Sequence, residues 1–149
     1  MDKKIQGVSL SRELWRNYPG GVRASHVLGV VAHVGDYEQG VYGLEKFYEK
    51  ELAPPGQHKS INPFAAAFRN IDESDEKRQD IVTTIEPEIQ VALEKTLDDV
   101  QKQYQSEGVG GIVIDPKTGA VLAMAYTPNF DPNTPSSASS EEIFLNPAV

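Results

Sequence analysis

The chain has 149 residues, carries 14 Lys plus Arg against 22 Asp plus Glu for a formal charge of −8, and contains no cysteine. That length holds one ordinary domain or two small units, and the acidic balance argues against a nucleic-acid partner. Disulfides, thiolate zinc sites and cysteine catalysis are excluded, the longest apolar stretch (about Val27 to Val34) is too short to cross a bilayer, and Met1–Ser11 lacks the apolar core of a signal peptide.

In chain order, Ile5 to Leu10 alternates like a strand, and Arg16 to Gly21 is rich in turn formers. Val22 to Gly29 predicts a short helix closed by glycine. Leu44, Phe47, Tyr48 and Leu52 recur at helical spacing after Gly43. Residues 53–79 hold Pro54-Pro55-Gly56 and the charge run Asp72 to Arg78, the composition of a linker or long surface loop.

Asp80 to Ile85 predicts a short strand. A helix follows, because Ile89, Leu93, Leu97, Val100 and Tyr104 form one stripe. Pro87 suits its first turn, where a missing N–H costs nothing, and Glu86 and Glu88 complement the positive end of its dipole. Glu107-Gly108 is the expected stop.

Ile112 to Ile114 and Ala120 to Tyr126 are apolar runs of strand length, joined by Asp115-Pro116-Lys117-Thr118-Gly119. Pro116 presets φ, Asp115 can bond the backbone ahead of it, and Gly119 can take positive φ, so the segment predicts a hairpin. Both faces of its second strand are apolar, which implies cover on both sides. The small face, Val121, Ala123 and Ala125, invites close approach of a helix. Residues 134–142 are low in complexity, and the tail 134–149 is expected to be mobile.

Taken in order, several of these segments resemble the class B penicillin-binding proteins. Arg16-x-Tyr18-Pro19-Gly20, Ala24-x-His26-x-Leu28-Gly29, and Gly43-Leu44-Glu45-x-x-Tyr48 with Leu52 are similar to the membrane-proximal pedestal, or dimerisation, domain. Thr83-Thr84-Ile85-x-x-x-Ile89-Gln90, Leu93-Glu94, Asp115-Pro116-x-Thr118-Gly119, Leu122-Ala123-Met124, Pro128-x-Phe130-Asp131-Pro132-Asn133 and Asn146-Pro147-Ala148-Val149 resemble the start of the transpeptidase domain. The resemblance covers nearly the whole chain. Glu86 departs from it, standing where the family usually has Asp. The family's earliest pedestal motif and its transmembrane anchor would lie upstream of Met1.

The resemblance implies an α+β fold. Residues 1–52 would form part of a pedestal, 53–79 a linker, and 80–149 the first strand, helix and hairpin of a penicillin-recognising transpeptidase fold. It implies serine acyl transfer in the parent: a Ser-x-x-Lys serine attacks the D-Ala-D-Ala carbonyl of a peptidoglycan stem peptide, with Ser-x-Asn and Lys-Thr-Gly completing the site. β-Lactams acylate the same serine. The parent would sit on the extracytoplasmic face of the bacterial inner membrane and meet a polymerase or other division or elongation proteins. This chain would end before the nucleophile and act as a scaffold, with no catalytic residue, metal or cofactor of its own. Taken alone, the hairpin would expose an apolar patch and an unpaired edge, favouring self-association. A free-standing pedestal-like module that regulates a wall synthase is the rival reading; a Ser-x-x-Lys soon after Val149 in the reading frame would favour the first.

Three strings match the catalytic patterns: Ser60-Ile61-Asn62, Ser74-Asp75-Glu76-Lys77 and Lys117-Thr118-Gly119. All are rejected. Their order is wrong, and Ser74 lies in a charge run whose Asp75 and Glu76 would raise a lysine's pKa, the opposite of what a lysine base needs. Lys117-Thr118-Gly119 is accounted for as the hairpin turn. His26 and His33 are read as ordinary histidines rather than metal ligands. Trp15, Tyr18, Tyr42 and Tyr48 are expected to pack inside the first unit, and Arg16 is expected to pair with Glu45.

Overall fold

The computed structural model describes residues 15–35, 37–53, 79–138 and 140–149. Its elements are α1 (Ser25–Leu28), β1 (Val30–Val34), β2 (Tyr37–Tyr42), α2 (Gly43–Phe47), α3 (Glu49–Leu52), α4 (Pro87–Tyr104), β3 (Val109–Ile114) and β4 (Val121–Thr127). Single 3-10 turns follow at Pro135–Ser137 and Glu141–Phe144. The strand expected over Ile5–Leu10, the charge run 72–78, Ser60 and Ser74 lie outside the described residues.

In the N-terminal half, β1 and β2 pair antiparallel with an irregularity between Val30 and Val31. The helix expected over Val22–Gly29 is shorter, because residues 19–24 turn and Ala24 takes a left-handed φ of 52° before α1 can start. Gly29 ends it as expected. The stripe from Leu44 to Leu52 is split at Tyr48, whose φ of −105° and ψ of 28° part α2 from α3. That break brings Glu49 back toward β2, where its Oε2 accepts the Gly40 N–H at 2.6 Å. Phe47 is left 77% exposed.

In the C-terminal half, α4 lies on the β3–β4 hairpin. Gly111 pairs with Ala125, Val113 with Ala123 and Val109 with Thr127, so these share one face. Ala123, Ala125 and Thr127 are buried. A Cβ at Gly111 would stand only 3.0 Å from Leu93 Cδ1, so the small face does admit the helix closely. Leu97 is buried at the centre of the α4 stripe. Two expectations fail at its end. Tyr104 is 70% exposed, and the helix stops at Gln105, which takes the left-handed conformation itself three residues before Gly108.

The opposite face of the hairpin is covered unevenly: on β4, where cover on both sides is expected, Leu122, Met124 and Tyr126 are half-buried, and β3 is more open. Tyr126 packs against the N-terminal half, whereas Ile112 and Ile114 remain 44% and 53% exposed among the described residues.

Residues 79–86 do not form the strand expected over Asp80–Ile85. They touch the outer edge of β4 at two points, where Thr84 Oγ1 donates to the Val121 carbonyl at 2.7 Å and Glu86 N–H to the Leu122 carbonyl at 2.8 Å. The ladder is then continued by a side chain. Gln90 Nε2 donates to the Met124 carbonyl and Gln90 Oε1 accepts the Met124 N–H, each at 3.0 Å. A buried primary amide thus mimics a strand residue along the β4 edge, while β3 pairs only with β4 among the described residues and its outer edge carries no strand.

Candidate functional site

The strings that mimic catalytic motifs come first. Lys117-Thr118-Gly119 is the hairpin turn. Asp115 Oδ1 accepts the Lys117 N–H at 2.9 Å, Asp115 Oδ2 accepts the Thr118 hydroxyl at 2.8 Å, and Gly119 takes φ 76°. Those bonds, the Lys117 N–H first, hold the Asp115 carboxyl below the usual range. The Lys117 and Gly119 N–H groups and the Thr118 hydroxyl are engaged in closing the loop. His26 and His33 are not brought together: His33 is exposed on β1 with Glu38 at 3.7 Å, while His26 is buried. Among the described residues no group of three His, Cys, Asp or Glu side chains could hold a metal ion.

What the fold builds instead is a polar cluster and a clamp. Arg16 Nε reaches Glu45 Oε1 at 2.6 Å, the pairing anticipated from sequence. The Glu45 side chain is only 6% exposed and the Arg16 side chain 44%, so a buried carboxylate is held by a half-exposed guanidinium. Tyr18 joins them. Its hydroxyl accepts the Val31 N–H at 3.2 Å and bonds Glu45. Burial first, and the Glu45 charge second, push the phenol well above its ordinary pKa.

The main chain of Tyr18 is gripped from 115 positions away. Its N–H donates to Asn133 Oδ1 at 2.9 Å, and Asn133 Nδ2 donates to its carbonyl at 2.9 Å. Asn133 is itself fixed, since its N–H and Nδ2 both donate to Asp131 Oδ1, at 2.9 and 3.0 Å. A second cross-link runs from the Ala24 N–H to Glu94 Oε1 at 2.8 Å, an oxygen that also accepts from Gln90 Nε2 at 2.7 Å. Gln90 therefore connects the hairpin edge to this contact.

Rings complete the junction. His26 meets Tyr126 edge-on at 5.6 Å and Phe130 at 5.2 Å. Burial lowers its imidazole pKa, a hydrogen bond to the Ile143 backbone opposing the shift. Phe144 packs edge-on against Phe130 at 4.8 Å and stacks on Tyr42 at 5.4 Å. The 134–149 tail, expected to be mobile, thus supplies an aromatic link between the halves. Of the four aromatics expected to pack within the first unit, Tyr18 is buried, Tyr42 stacks on the tail, and Tyr48 lies edge-on to Phe47. Trp15 is 75% exposed, beside a cavity of about 410 Å³ that Arg16, Leu44, Glu45 and Glu49 also line.

Sequence reading missed the roles of Asn133, Gln90, Glu94 and His26. A polar residue beside the apolar stripe, as Gln90 stands beside Ile89, was the available signal. Nothing local marks Asn133, whose partner is remote.

No protein-family profile matches the chain. It is similar to stage V sporulation protein D of Bacillus subtilis (strain 168), with 31% identity over 135 residues, covering 86% of this chain and 20% of that protein. It is similar to peptidoglycan D,D-transpeptidase FtsI of Escherichia coli (strain K12), with 27% identity over 141 residues, covering 93% and 24%. Among solved structures it matches penicillin-binding protein 3 of Mycobacterium tuberculosis, complexed with aztreonam. That match has a TM-score of 0.68 and 28% identity and covers 91% of this chain and 27% of that one. The chain thus spans 20% and 24% of the lengths of these two curated relatives.

Proposed function

The chain is homologous over most of its length to penicillin-binding peptidoglycan D,D-transpeptidases, and from that premise we propose that it forms the junction between the pedestal and the catalytic domain of such an enzyme. In this reading residues 1–52 belong to the pedestal, 53–79 link, and 80–149 open the transpeptidase fold. The whole protein cross-links stem peptides: a serine hydroxyl attacks the D-Ala-D-Ala carbonyl, the terminal D-Ala leaves, and a neighbouring stem-peptide amine takes the acyl group. The aztreonam bound to the tuberculosis protein supports β-lactams as ligands of the whole enzyme.

This segment contributes position rather than chemistry. The observation that carries the reading is the grip of Asn133 on both backbone groups of Tyr18, at 2.9 Å each. It ties the end of the hairpin's exit, residues 128–133, to the start of the pedestal-like half, so the catalytic sheet inherits a fixed height and orientation. The exposed Ile112 and Ile114 mark the face on which the rest of the fold packs; left open, that face drives self-association. No helix among the described residues is long and apolar enough to cross a membrane. In the whole protein this junction stands outside the inner membrane and meets a glycan polymerase or its division or elongation partners.

Labelled penicillin tests the assignment. The chain as given should not be acylated, whereas the whole enzyme should be, at a serine outside these residues. Covalent label on Ser74 would overturn it.

A further inference from the structure

We infer that His26 is an acid-sensitive latch: protonation of its buried ring loosens the contact between the N-terminal half, residues 15–53, and the β3–β4 hairpin with its exit.

The ring sits where three segments meet. His26 lies on α1 and is 4% exposed. Tyr126 from β4 and Phe130 from the segment after it present their rings at 5.6 and 5.2 Å, and the Ile143 backbone carbonyl accepts a hydrogen bond from the ring. A neutral imidazole is a good filler for such a site. Charging it adds a second N–H donor and a full positive charge in an apolar, aromatic surround.

The groups that could compensate are engaged elsewhere or turned to solvent. On α4, Glu94 Oε1 holds the Ala24 N–H and Gln90 Nε2. On α2, which packs against α1, Glu45 is bound by Arg16, and Lys46 is an exposed cation. On β4, Tyr126 offers a neutral phenol. In the exit, Asp131 is bound to Asn133. In the last turn Glu141 and Glu142 are exposed. Burial dominates the ring's titration and no charged neighbour contributes to it, in keeping with that survey.

Release should spread, because the clamp, the Glu94 cross-link and the ring stack bridge the same two halves. Between pH 7.5 and 5.5 carboxylates with ordinary pKa values near 4 stay ionised, and a His26→Gln background separates this ring from the other two histidines of the chain.

The test uses the full chain, which has no native cysteine. Spin labels at Lys46→Cys and Lys117→Cys, both exposed positions on opposite halves, report the distance between them. The expected result is a single narrow distance distribution at pH 7.5 that broadens and lengthens at pH 5.5, and no such change in a His26→Gln background. An unchanged distribution at pH 5.5, or the same change in the His26→Gln protein, would overturn the latch. Should His26→Gln not fold, NMR titration of the His26 ring in the labelled chain replaces it. The midpoint of the distance change must match the midpoint of the ring, and a mismatch overturns the latch equally.

Discussion

Asn133 hydrogen-bonds both backbone groups of Tyr18, accepting from its N–H and donating to its carbonyl, across 115 positions of sequence. The bond pattern is that of one strand residue against another, delivered by a single side-chain amide. Asp131 orients that amide through a bond from Asn133 Nδ2 to its Oδ1.

Replacing Asn133 by alanine leaves the partly buried Tyr18 N–H without its partner and the Tyr18 carbonyl with the Gly21 N–H alone. The expected loss is about 2–3 kcal/mol, more than two average hydrogen bonds between exposed groups would give. Asn133→Asp should be nearly as harmful, because a carboxylate cannot donate to the Tyr18 carbonyl. Urea unfolding of the three proteins, with unchanged m-values, measures this; an aspartate variant as stable as the parent would show that the donor half of the clamp is unimportant.

Gln90 presents a sharper case. The residue is 2% exposed, and its amide serves the Met124 carbonyl, the Met124 N–H and Glu94 together. Gln90→Ala should cost about 3 kcal/mol through a small cavity and unpaired strand groups. Gln90→Glu keeps the shape but sets a carboxylate against both the Met124 carbonyl and Glu94. It should therefore be the less stable of the two at pH 7.5 and recover partly as the pH falls toward 5. Thermal melts of both variants across that range decide the point.

The Arg16–Glu45 pair is asymmetric in burial, and its mutants should be asymmetric too. Arg16→Ala abandons a buried carboxylate to Tyr18 alone, whereas Glu45→Gln abandons a guanidinium that is already half in water. Arg16→Ala should therefore destabilise more, and a double-mutant cycle should return about 1–2 kcal/mol of coupling, reduced from a fully buried pair by the exposure of Arg16. No measurable coupling would mean that Tyr18 alone satisfies Glu45.

Acid dependence follows from His26, with a definite sign. Its folded pKa lies below the ordinary 6.5, so below pH 6.5 the unfolded chain binds this proton more readily than the folded one. Stability contributed by the neutral ring is complete above pH 6.5 and declines as pH falls from there toward the lowered folded value. Denaturant midpoints should drop between pH 7.5 and 5.5 in the parent, and His26→Phe should flatten that slope.

The hairpin and α4 are legible in the sequence because local chemistry dictates them. Asp115, Pro116 and Gly119 specify a turn, the stripe from Ile89 to Val100 specifies a helix, and alanines on alternate positions specify where the two touch. The elements misread are those in which a distant partner outweighs local preference. Residues 80–85 have strand composition, yet the edge they would occupy is taken further along by the Gln90 side chain. Tyr48 has the spacing of a continuing helix, yet Glu49 turns back to bind Gly40. Arg16 and Glu45 were readable as a pair from their motifs. Asn133 was readable as the last residue of the Pro128–Asn133 motif, but nothing near it announces a bond to Tyr18.

The central claim is that the two halves form one held junction. Native-state hydrogen exchange at two amides tests it most directly: Tyr18 N–H, which donates to Asn133, and Ala24 N–H, which donates to Glu94. Both are expected to be protected to a degree comparable with Met124 on β4, and Asn133→Ala is expected to remove the protection of Tyr18 first. Free exchange at Tyr18 and Ala24 while Met124 stays protected would contradict it.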